Sequence, residues 1–261
     1  QILAVLNEYH QQAFSVKTGR GLRYLVIRGL NGQYQCTLVS GYDKLPKEMI
    51  EKLAAVPGVL SVAQNINTKK KSVSLFGPET HILSGAAQIE ASVDSLRLKL
   101  SPESFFQMNK AQAVHLYHAL LKELEPCGHL VEAYCGVGVM SLLAASKAKK
   151  ITGIESVPQA VENANENARL NGLDQKAHFF CMDAAEGLRQ ASEAGGVDAL
   201  VADPPRSGMD DAMIAAILKS GVRQILYISC NPATLGRNLH DLASCYTVKK
   251  IQPYDLFPQT P

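Results

Sequence analysis

Apolar residues follow two different patterns along this chain, and the change comes near residue 100. After residue 101, short apolar runs alternate with segments whose apolar residues recur at helical spacing. Such strand–helix repeats predict a doubly wound, mostly parallel, Rossmann-like α/β sheet with helices on both faces. Asn109 is expected to cap a long first helix. The predicted strands are 130–135, 150–155, 177–181, 197–202, 224–229 and 246–252, and the helices between them are 139–148, 158–171, 184–193, 210–219 and 232–243.

The pattern of residues 1–100 predicts a small α+β domain. Residues 101–261 are then predicted to form a second domain. Asn31 and Gly32 separate two apolar-alternating runs, which is a strong signal for a two-residue hairpin. The predicted helices are 2–14 and the segment from Pro46 to about Val56, and the predicted strands are 22–28, 34–39, 59–63, 72–76 and 96–100.

Composition narrows the class of protein. The chain has 261 residues, 46% of them hydrophobic, but no apolar run approaches the roughly 20 residues that cross a bilayer. Its six cysteines form no C-x-x-C pair, which argues against a metal site and for a reducing compartment. We therefore expect a soluble cytoplasmic protein without a metal.

The charge of the chain is divided unevenly. Residues 1–100 carry 12 Lys and Arg against 7 Asp and Glu, whereas the remainder carries 14 against 17. A basic front part indicates contact with a polyanion. Lys69–Lys71, together with Lys17, Arg20 and Arg23, are candidate phosphate contacts, although a lysine run is commonly just a solvated turn.

Polar residues stand where the predicted parallel strands end. Ligands of such sheets bind beyond the carboxyl ends of the strands, so these residues are candidate site residues. Gly136 and Gly138 follow the first strand of the second domain, and glycines there allow a tight turn and close approach of a ligand to the backbone. The side chains at or just beyond the strand ends are Tyr134, Glu155, Asp183, Asp203 and Cys230.

Three of these residues carry specific chemistry. Glu155 ends the second strand, where an acid can accept hydrogen bonds from both hydroxyls of an adenosine ribose. Asp203 precedes two prolines, whose fixed φ angles make a stiff loop. Cys230 precedes Pro232 at the start of a predicted helix, and the positive end of the helix dipole favours a thiolate nucleophile there.

Several of these segments together resemble the RNA 5-methyluridine methyltransferases. The resemblance covers nearly the whole chain, and its most specific block is the one around Cys230. The matching segments are Gly21–Arg28, Gln64–Asn67, Phe105–Asn109, Tyr134–Gly138, Asp203–Arg206, Ser229–Leu235 and Asp255–Thr260.

The resemblance implies an activity and a set of roles. The activity would be S-adenosyl-L-methionine-dependent methylation of carbon 5 of a uridine in RNA, with bacterial 23S rRNA favoured over tRNA and the enzyme acting as a monomer. Cys230 would be the nucleophile, and the general base would be a Glu in a His-Val-Glu block beyond Pro261. The cofactor contacts implied are Gln107, Tyr134, Gly136, Glu155, Asp183 and Asp203.

Two other functions remain open from the sequence. Exocyclic-amine methyltransferases of similar fold use an Asp/Asn-Pro-Pro-aromatic motif, but here Arg206 stands in the aromatic position. The other alternative is a catalytically silent RNA-binding scaffold. Neither alternative needs Cys230 as a nucleophile.

Overall fold

The computed structural model describes residues 1–69 and 74–258, and the chain divides into two compact units. The small unit comprises Gln1–Ala91 and Lys99–Glu103, and the large unit comprises Ser92–Leu98 and Ser104–Pro261. The β5–β6 hairpin (Ile89–Val93 and Leu96–Leu100) is divided between them. No helix among the described residues is both long and apolar enough to cross a membrane.

The small unit is built on a four-stranded sheet of order β1-β2-β3-β4. β2 and β3 pair in parallel, whereas the two outer pairings are antiparallel. An apolar cluster that includes Leu38, Met49 and Leu53 packs the helices on the sheet. The elements are α1 (Ile2–Glu8), β1 (Leu22–Leu30), β2 (Gln33–Ser40), α2 (Lys47–Ala54), β3 (Val59–Ile66) and β4 (Glu79–Gly85).

The sequence predictions for this unit were partly right. The Asn31–Gly32 hairpin is confirmed, and both residues have the positive φ that such a turn requires. The helix predicted over 2–14 was wrong beyond Glu8, because the chain leaves the helix at Tyr9 and His10 has a φ of 45°. The strand predicted over 72–76 was wrong for residues 74–76, which form a bend, and residues 72 and 73 lie outside the described residues.

The large unit contains a five-stranded sheet of order β11-β10-β7-β8-β9 in which every pairing is parallel. The predicted α/β fold is therefore confirmed. A short 3₁₀ turn at Ala144–Ser146 shortens the helix that was predicted over 139–148. The elements are α3 (Lys110–Glu123), β7 (Cys127–Ala133), α4 (Val139–Leu143), β8 (Ala148–Glu155), α5 (Pro158–Leu170), β9 (Ala177–Cys181), α6 (Ala184–Glu193), β10 (Ala199–Ala202), α7 (Asp211–Ser220), β11 (Gln224–Tyr227) and α8 (Pro232–Leu242).

The central strands are apolar on both faces because helices cover both faces of the sheet. Val131, Leu200 and Ile154 lie in one buried cluster with residues of α6 and α7. The strand predicted over 246–252 was wrong, since these residues form no strand and Ile251 is exposed. A strand exists only where a neighbour completes its hydrogen bonds, and in the described residues β11 pairs with β10 alone.

Candidate active site at the carboxyl edge of the parallel sheet

The turn after β7 has an unusual backbone. Tyr134, Gly136 and Gly138 all have positive φ, of 62°, 53° and 83°, and for a tyrosine this conformation is strained. A Cβ on Gly138 would lie 2.8 Å from ring atoms of Phe179, so no larger residue fits there. At Gly136 no heavy atom lies within 4 Å of that position. Gly136 therefore leaves an open space on the turn.

Glu155 ties this turn to the end of β8. Its Oε2 accepts a hydrogen bond from the Gly136 N–H at 3.1 Å. Its Oε1 accepts from the N–H groups of Ser156 and Val157 at 2.8 and 3.0 Å, and from the Ser156 hydroxyl at 3.3 Å. Because a carboxylate has about four acceptor positions on two oxygens, Oε2 keeps capacity for a ligand.

Asp183 follows β9 and caps α6. Its Oδ1 accepts from the N–H groups of Ala185 and Glu186, at 3.0 and 3.2 Å. Both capping hydrogen bonds thus go to Oδ1, and neither of them uses Oδ2. The side chain is exposed at the carboxyl edge of the sheet.

Asp203 begins the loop of residues 203–210 between β10 and α7, called here the β10–α7 loop. The carboxyl is half-buried, and burial raises its pKa to about 6. Its N–H donates to the carbonyl of Ala133 at 3.5 Å, which places the start of the loop beside the end of β7.

A buried acid that the sequence analysis did not single out lies below these residues. Glu132 is 4% exposed, and its Oε2 accepts from both the N–H (2.7 Å) and the hydroxyl of Ser141. Burial raises the pKa of Glu132 to about 8, although the Ser141 hydrogen bonds oppose this shift. The available signal was an acid inside an apolar run, since such a run predicts a strand buried on both faces.

Strand register puts three of these acids on one face of the sheet. Glu132 pairs with Val201 of β10 and with Gly153 of β8. Side chains two residues apart on a strand share a face. Asp203 and Glu155 are each two residues beyond those partners. The three carboxyls therefore lie on the same side of adjacent strands.

Gln107 lies in the irregular segment between β6 and α3. The residue is half-buried, whereas its neighbours Phe105 and Met108 are strongly exposed. Asn109 caps α3, as predicted, by accepting from the Gln112 N–H at 3.2 Å. The chain thus reaches α3 through a segment that presents two large apolar side chains to solvent.

Cys230 is exposed and directly precedes the N-cap of α8. The cap is Asn231, whose Oδ1 accepts from the Ala233 N–H at 3.0 Å, and Pro232 occupies the first helical position. Ala202 pairs with Tyr227 in the sheet, so Asp203 and Cys230 follow the ends of neighbouring strands. The arrangement places a thiol at a helix N-terminus and a half-buried acid at the end of the neighbouring strand.

The hydrogen bonds of the structure connect only some of the predicted site residues. Gly136 is bonded to Glu155, and the Asp203 backbone reaches the end of β7. Asp183 and Cys230 are placed at the same edge by strand order, whereas Gln107 lies in the segment between β6 and α3. A glycine turn, an acid at the second strand end and further acids along one edge define a Rossmann-like α/β protein with a candidate ligand site at its carboxyl edge.

Comparison with known proteins identifies the family. The family model described as tRNA (uracil-5-)-methyltransferase matches residues 86–261. A Listeria innocua protein described as an uncharacterized RNA methyltransferase is 38% identical over 266 aligned positions, covering 98% of this chain and 58% of its own length. A Bacillus cereus protein with the same description is 35% identical and is covered over 58% of its length. The chain belongs to the tRNA (uracil-5-)-methyltransferase family, and it spans less than two thirds of these relatives.

Solved structures agree with this fold. The Pyrococcus abyssi tRNA (uracil-54, C5)-methyltransferase in complex with S-adenosyl-L-homocysteine has a TM-score of 0.77 and 26% identity, covering 98% of this chain and 61% of its own. The Methanocaldococcus jannaschii tRNA m1G37 methyltransferase has a TM-score of 0.52 at 18% identity, covering 87% of this chain and 68% of its own. The latter similarity concerns the fold alone.

Proposed function

We propose that this chain contains the catalytic centre of an S-adenosyl-L-methionine-dependent enzyme that methylates carbon 5 of a uridine in RNA. The observation that carries the proposal is the position of Cys230 in a chain of this family. Its exposed thiol lies just before α8 and follows β11, the neighbour of the strand that Asp203 follows. Among RNA substrates we favour 23S rRNA over tRNA.

The edge of the sheet fits the cofactor. The open space at Gly136 admits a ligand close to the backbone, and the carboxyls of Glu155 and Asp203 on one face of the sheet suit a positively charged one. S-adenosyl-L-methionine, when bound, supplies an electrophilic methyl group. Glu155 holds the ribose through Oε2, because Oε1 already accepts three hydrogen bonds from the chain.

Three further residues complete the proposed cofactor site. Asp183 binds the adenine edge through Oδ2, since Oδ1 is used by the helix cap. Tyr134 shapes the turn through its strained backbone and lines the site together with Gln107. Each of these roles is one that the family resemblance implies for the residue.

Cys230 solves the main chemical difficulty of the reaction. Carbon 5 of uracil is a weak nucleophile, so the thiolate first adds to carbon 6 and forms a carbon–sulfur bond. The electron pair of the 5,6 double bond would then make carbon 5 nucleophilic enough to take the methyl group, and the bond between that methyl group and the cofactor sulfur would break to release S-adenosyl-L-homocysteine. A base removes the proton from carbon 5, and the carbon–sulfur bond breaks to restore the double bond and the thiolate.

The small unit supplies cationic and aromatic groups for RNA. The Arg23 guanidinium lies 4.9 Å from the centre of the Phe14 ring and 5.6 Å from that of Tyr24, and it donates to the Lys69 carbonyl at 2.8 Å. Tyr24 and Tyr34 are exposed on the same unit. Bases stack on such side chains and phosphates pair with such cations. Lys70 and Lys71, also candidate contacts, lie outside the described residues.

The decisive test uses RNA that contains 5-fluorouridine. Fluorine cannot leave as a cation, so the methylated adduct cannot eliminate and the protein stays bound to the RNA. We expect the full-length protein to form a band that survives denaturation on a 23S rRNA transcript made with 5-fluorouridine triphosphate. Cys230→Ala should abolish this band, whereas the matched control Cys245→Ala, another exposed cysteine, should keep it. A tRNA transcript made in the same way serves as the second substrate arm.

Each result separates the proposed function from its alternatives. An exocyclic-amine methyltransferase or a silent RNA-binding scaffold forms no thiol adduct with either RNA. A band that persists in Cys230→Ala, or no band with either transcript, would contradict the assignment of Cys230. A band with tRNA alone would retain the chemistry and overturn the preference for rRNA.

A further inference from the structure

The β10–α7 loop is tied to α8 by side chains along two turns of that helix. The Arg206 carbonyl accepts from the Asn231 side-chain amide at 3.2 Å and from the Thr234 hydroxyl at 3.3 Å. One turn further along, the Arg237 guanidinium donates to the Ser207 carbonyl at 2.8 Å. A loop would ordinarily be held mainly by its own ends, but here the N-cap of α8 and two residues within the helix, each three positions further along, hold its backbone.

Asn238 is the innermost of these contacts. It is 1% exposed, its Oδ1 accepts from the Met209 N–H (2.9 Å) and the Tyr227 hydroxyl (2.8 Å), and its Nδ2 donates to the Met209 carbonyl (2.9 Å). Gly208 allows this approach, because a Cβ there would lie 2.6 Å from the Asn238 Oδ1. One amide therefore joins the loop, the last residue of β11 and α8.

We propose that Asn238 is a positioning residue that fixes the β10–α7 loop against α8, and thereby fixes Asp203 relative to Cys230. Asp203 begins that loop, and Cys230 precedes the helix to which the loop is tied. This inference rests on the proposed function, because it concerns the distance between Cys230, the proposed nucleophile, and Asp203, one of the implied cofactor contacts.

The chemistry explains why this spacing has to be held. The thiolate bonds to carbon 6 while the methyl group arrives at carbon 5, two adjacent atoms of one ring. The two protein groups follow different strands, so an error in either loop changes the geometry directly. A displacement of about 1 Å at such a centre can cost on the order of a hundredfold in rate.

The test compares two asparagines with the same type of contact. Asn238→Asp keeps the acceptor for Met209 N–H but loses the donor to the Met209 carbonyl. Asn165→Asp is the matched control. Asn165 lies in α5 of the same unit, where its amide donates to the carbonyl of Phe179 in β9 at 3.0 Å and accepts from the Phe179 N–H at 3.3 Å. The full-length protein is assayed for the rate of adduct formation on fluorinated 23S rRNA, and for alkylation of the Cys230 peptide by iodoacetamide.

We expect Asn238→Asp to slow adduct formation at least about tenfold at saturating cofactor and RNA. Alkylation of Cys230 should stay within about twofold, because a small reagent needs only an accessible thiol and no alignment. Asn165→Asp should leave both rates within about twofold. A merely structural role of Asn238 would move both rates of that variant together, or would slow the control equally.

The inference is overturned if Asn238→Asp forms the adduct at the unsubstituted rate, if alkylation falls in parallel, or if Asn165→Asp slows as much. If Asn238→Asp does not fold, the half-buried Thr234→Val decides the matter, since it removes one bond to the Arg206 carbonyl and keeps the shape of the side chain. We expect about threefold slower adduct formation, and an unchanged rate overturns the inference. No adduct in the unsubstituted protein would contradict the proposed function itself.

Discussion

Buried polar side chains have different surroundings in the two units. In the small unit, Asn65 is fully buried and its amide is extensively bonded: Nδ2 donates to the carbonyls of Gly77 and Glu79 and to the Thr80 hydroxyl, and Oδ1 accepts from the Gly77 N–H. These bonds hold the start of β4, and Gly77 just before it, against β3. The amide is therefore a structural connection whose removal would leave buried groups unpaired.

In the large unit, Glu132 is almost as buried but far less well compensated. Ser141 alone donates to it among the described residues, and its pKa of about 8 means that it holds a proton where an ordinary glutamate has lost it. A carboxyl kept in this state costs stability. The comparison teaches that the fully bonded Asn65 amide serves to hold the fold, whereas Glu132, bonded by Ser141 alone among the described residues, lies on the face of the sheet that carries the candidate site.

The largest effect is expected from Glu132→Gln. The folded state keeps the proton between the unfolded pKa near 4.5 and the folded pKa of about 8, so the free energy of unfolding falls as pH rises through this window and levels off above it. Relative to Glu132→Gln, the unsubstituted protein should lose about 3 kcal/mol between pH 5 and pH 8. Urea unfolding at both pH values measures this difference, and parallel pH profiles would mean that Glu132 is ionised in the folded protein.

Asn65→Leu should lower the free energy of unfolding, whereas Glu132→Gln should raise it at pH 8. Leucine has a similar volume but leaves the Gly77 N–H and the carbonyls around it without their partner, which should destabilise the small unit by about 2–3 kcal/mol at every pH. Urea unfolding measures the loss. Ser61→Ala is the control, because the buried Ser61 hydroxyl has no partner in the described part of the chain, and its removal should change stability by less than about 0.5 kcal/mol. Equal losses in both variants would break the comparison.

The smallest effect concerns surface charge. Lys17 and Arg20 are exposed in the tight turn before β1, and replacing both with Ala should reduce the slope of log affinity against log salt by up to about 2 on a 23S rRNA transcript. Lys149 and Lys219, exposed on the large unit, provide the charge-matched double control and should leave the slope unchanged. Filter binding at salt concentrations from about 50 to about 200 mM, where phosphate contacts depend strongly on salt, measures the slopes of both double variants. Equal slopes would assign the turn to the solvated surface.

The sequence predicted the parallel sheet, because buried strands and helical periodicity are strong local signals, and the carboxyl edge of that sheet stays the predicted place of the site. It missed β4, whose residues are mostly exposed because the strand is at the edge of its sheet and so lacks apolar alternation. It also predicted a strand over 246–252 from alternation alone. Alternation reports which face would be buried, but pairing depends on a partner strand that lies elsewhere in the chain.

The candidate site was predictable in its positions but not in its connections. Strand ends located Glu155, Asp203 and Cys230 because parallel strands bring their carboxyl ends to one edge. The hydrogen bond between Glu155 and Gly136, and the ties from α8 to the β10–α7 loop, join residues far apart in sequence. No local pattern encodes such contacts. Glu132 was missed because an acid within an apolar strand is easily taken for a break in the pattern.

The strained turn at Tyr134 has a kinetic consequence. Its left-handed backbone is held by contacts within the chain, namely the Glu155–Gly136 hydrogen bond and the pairing of β7 with β8, so the fold itself specifies the turn. The folding free energy of the whole sheet holds this conformation in advance. Association with a small molecule at this edge can therefore approach the rate set by diffusion, and differences in affinity between related ligands should appear mainly in how long each one stays.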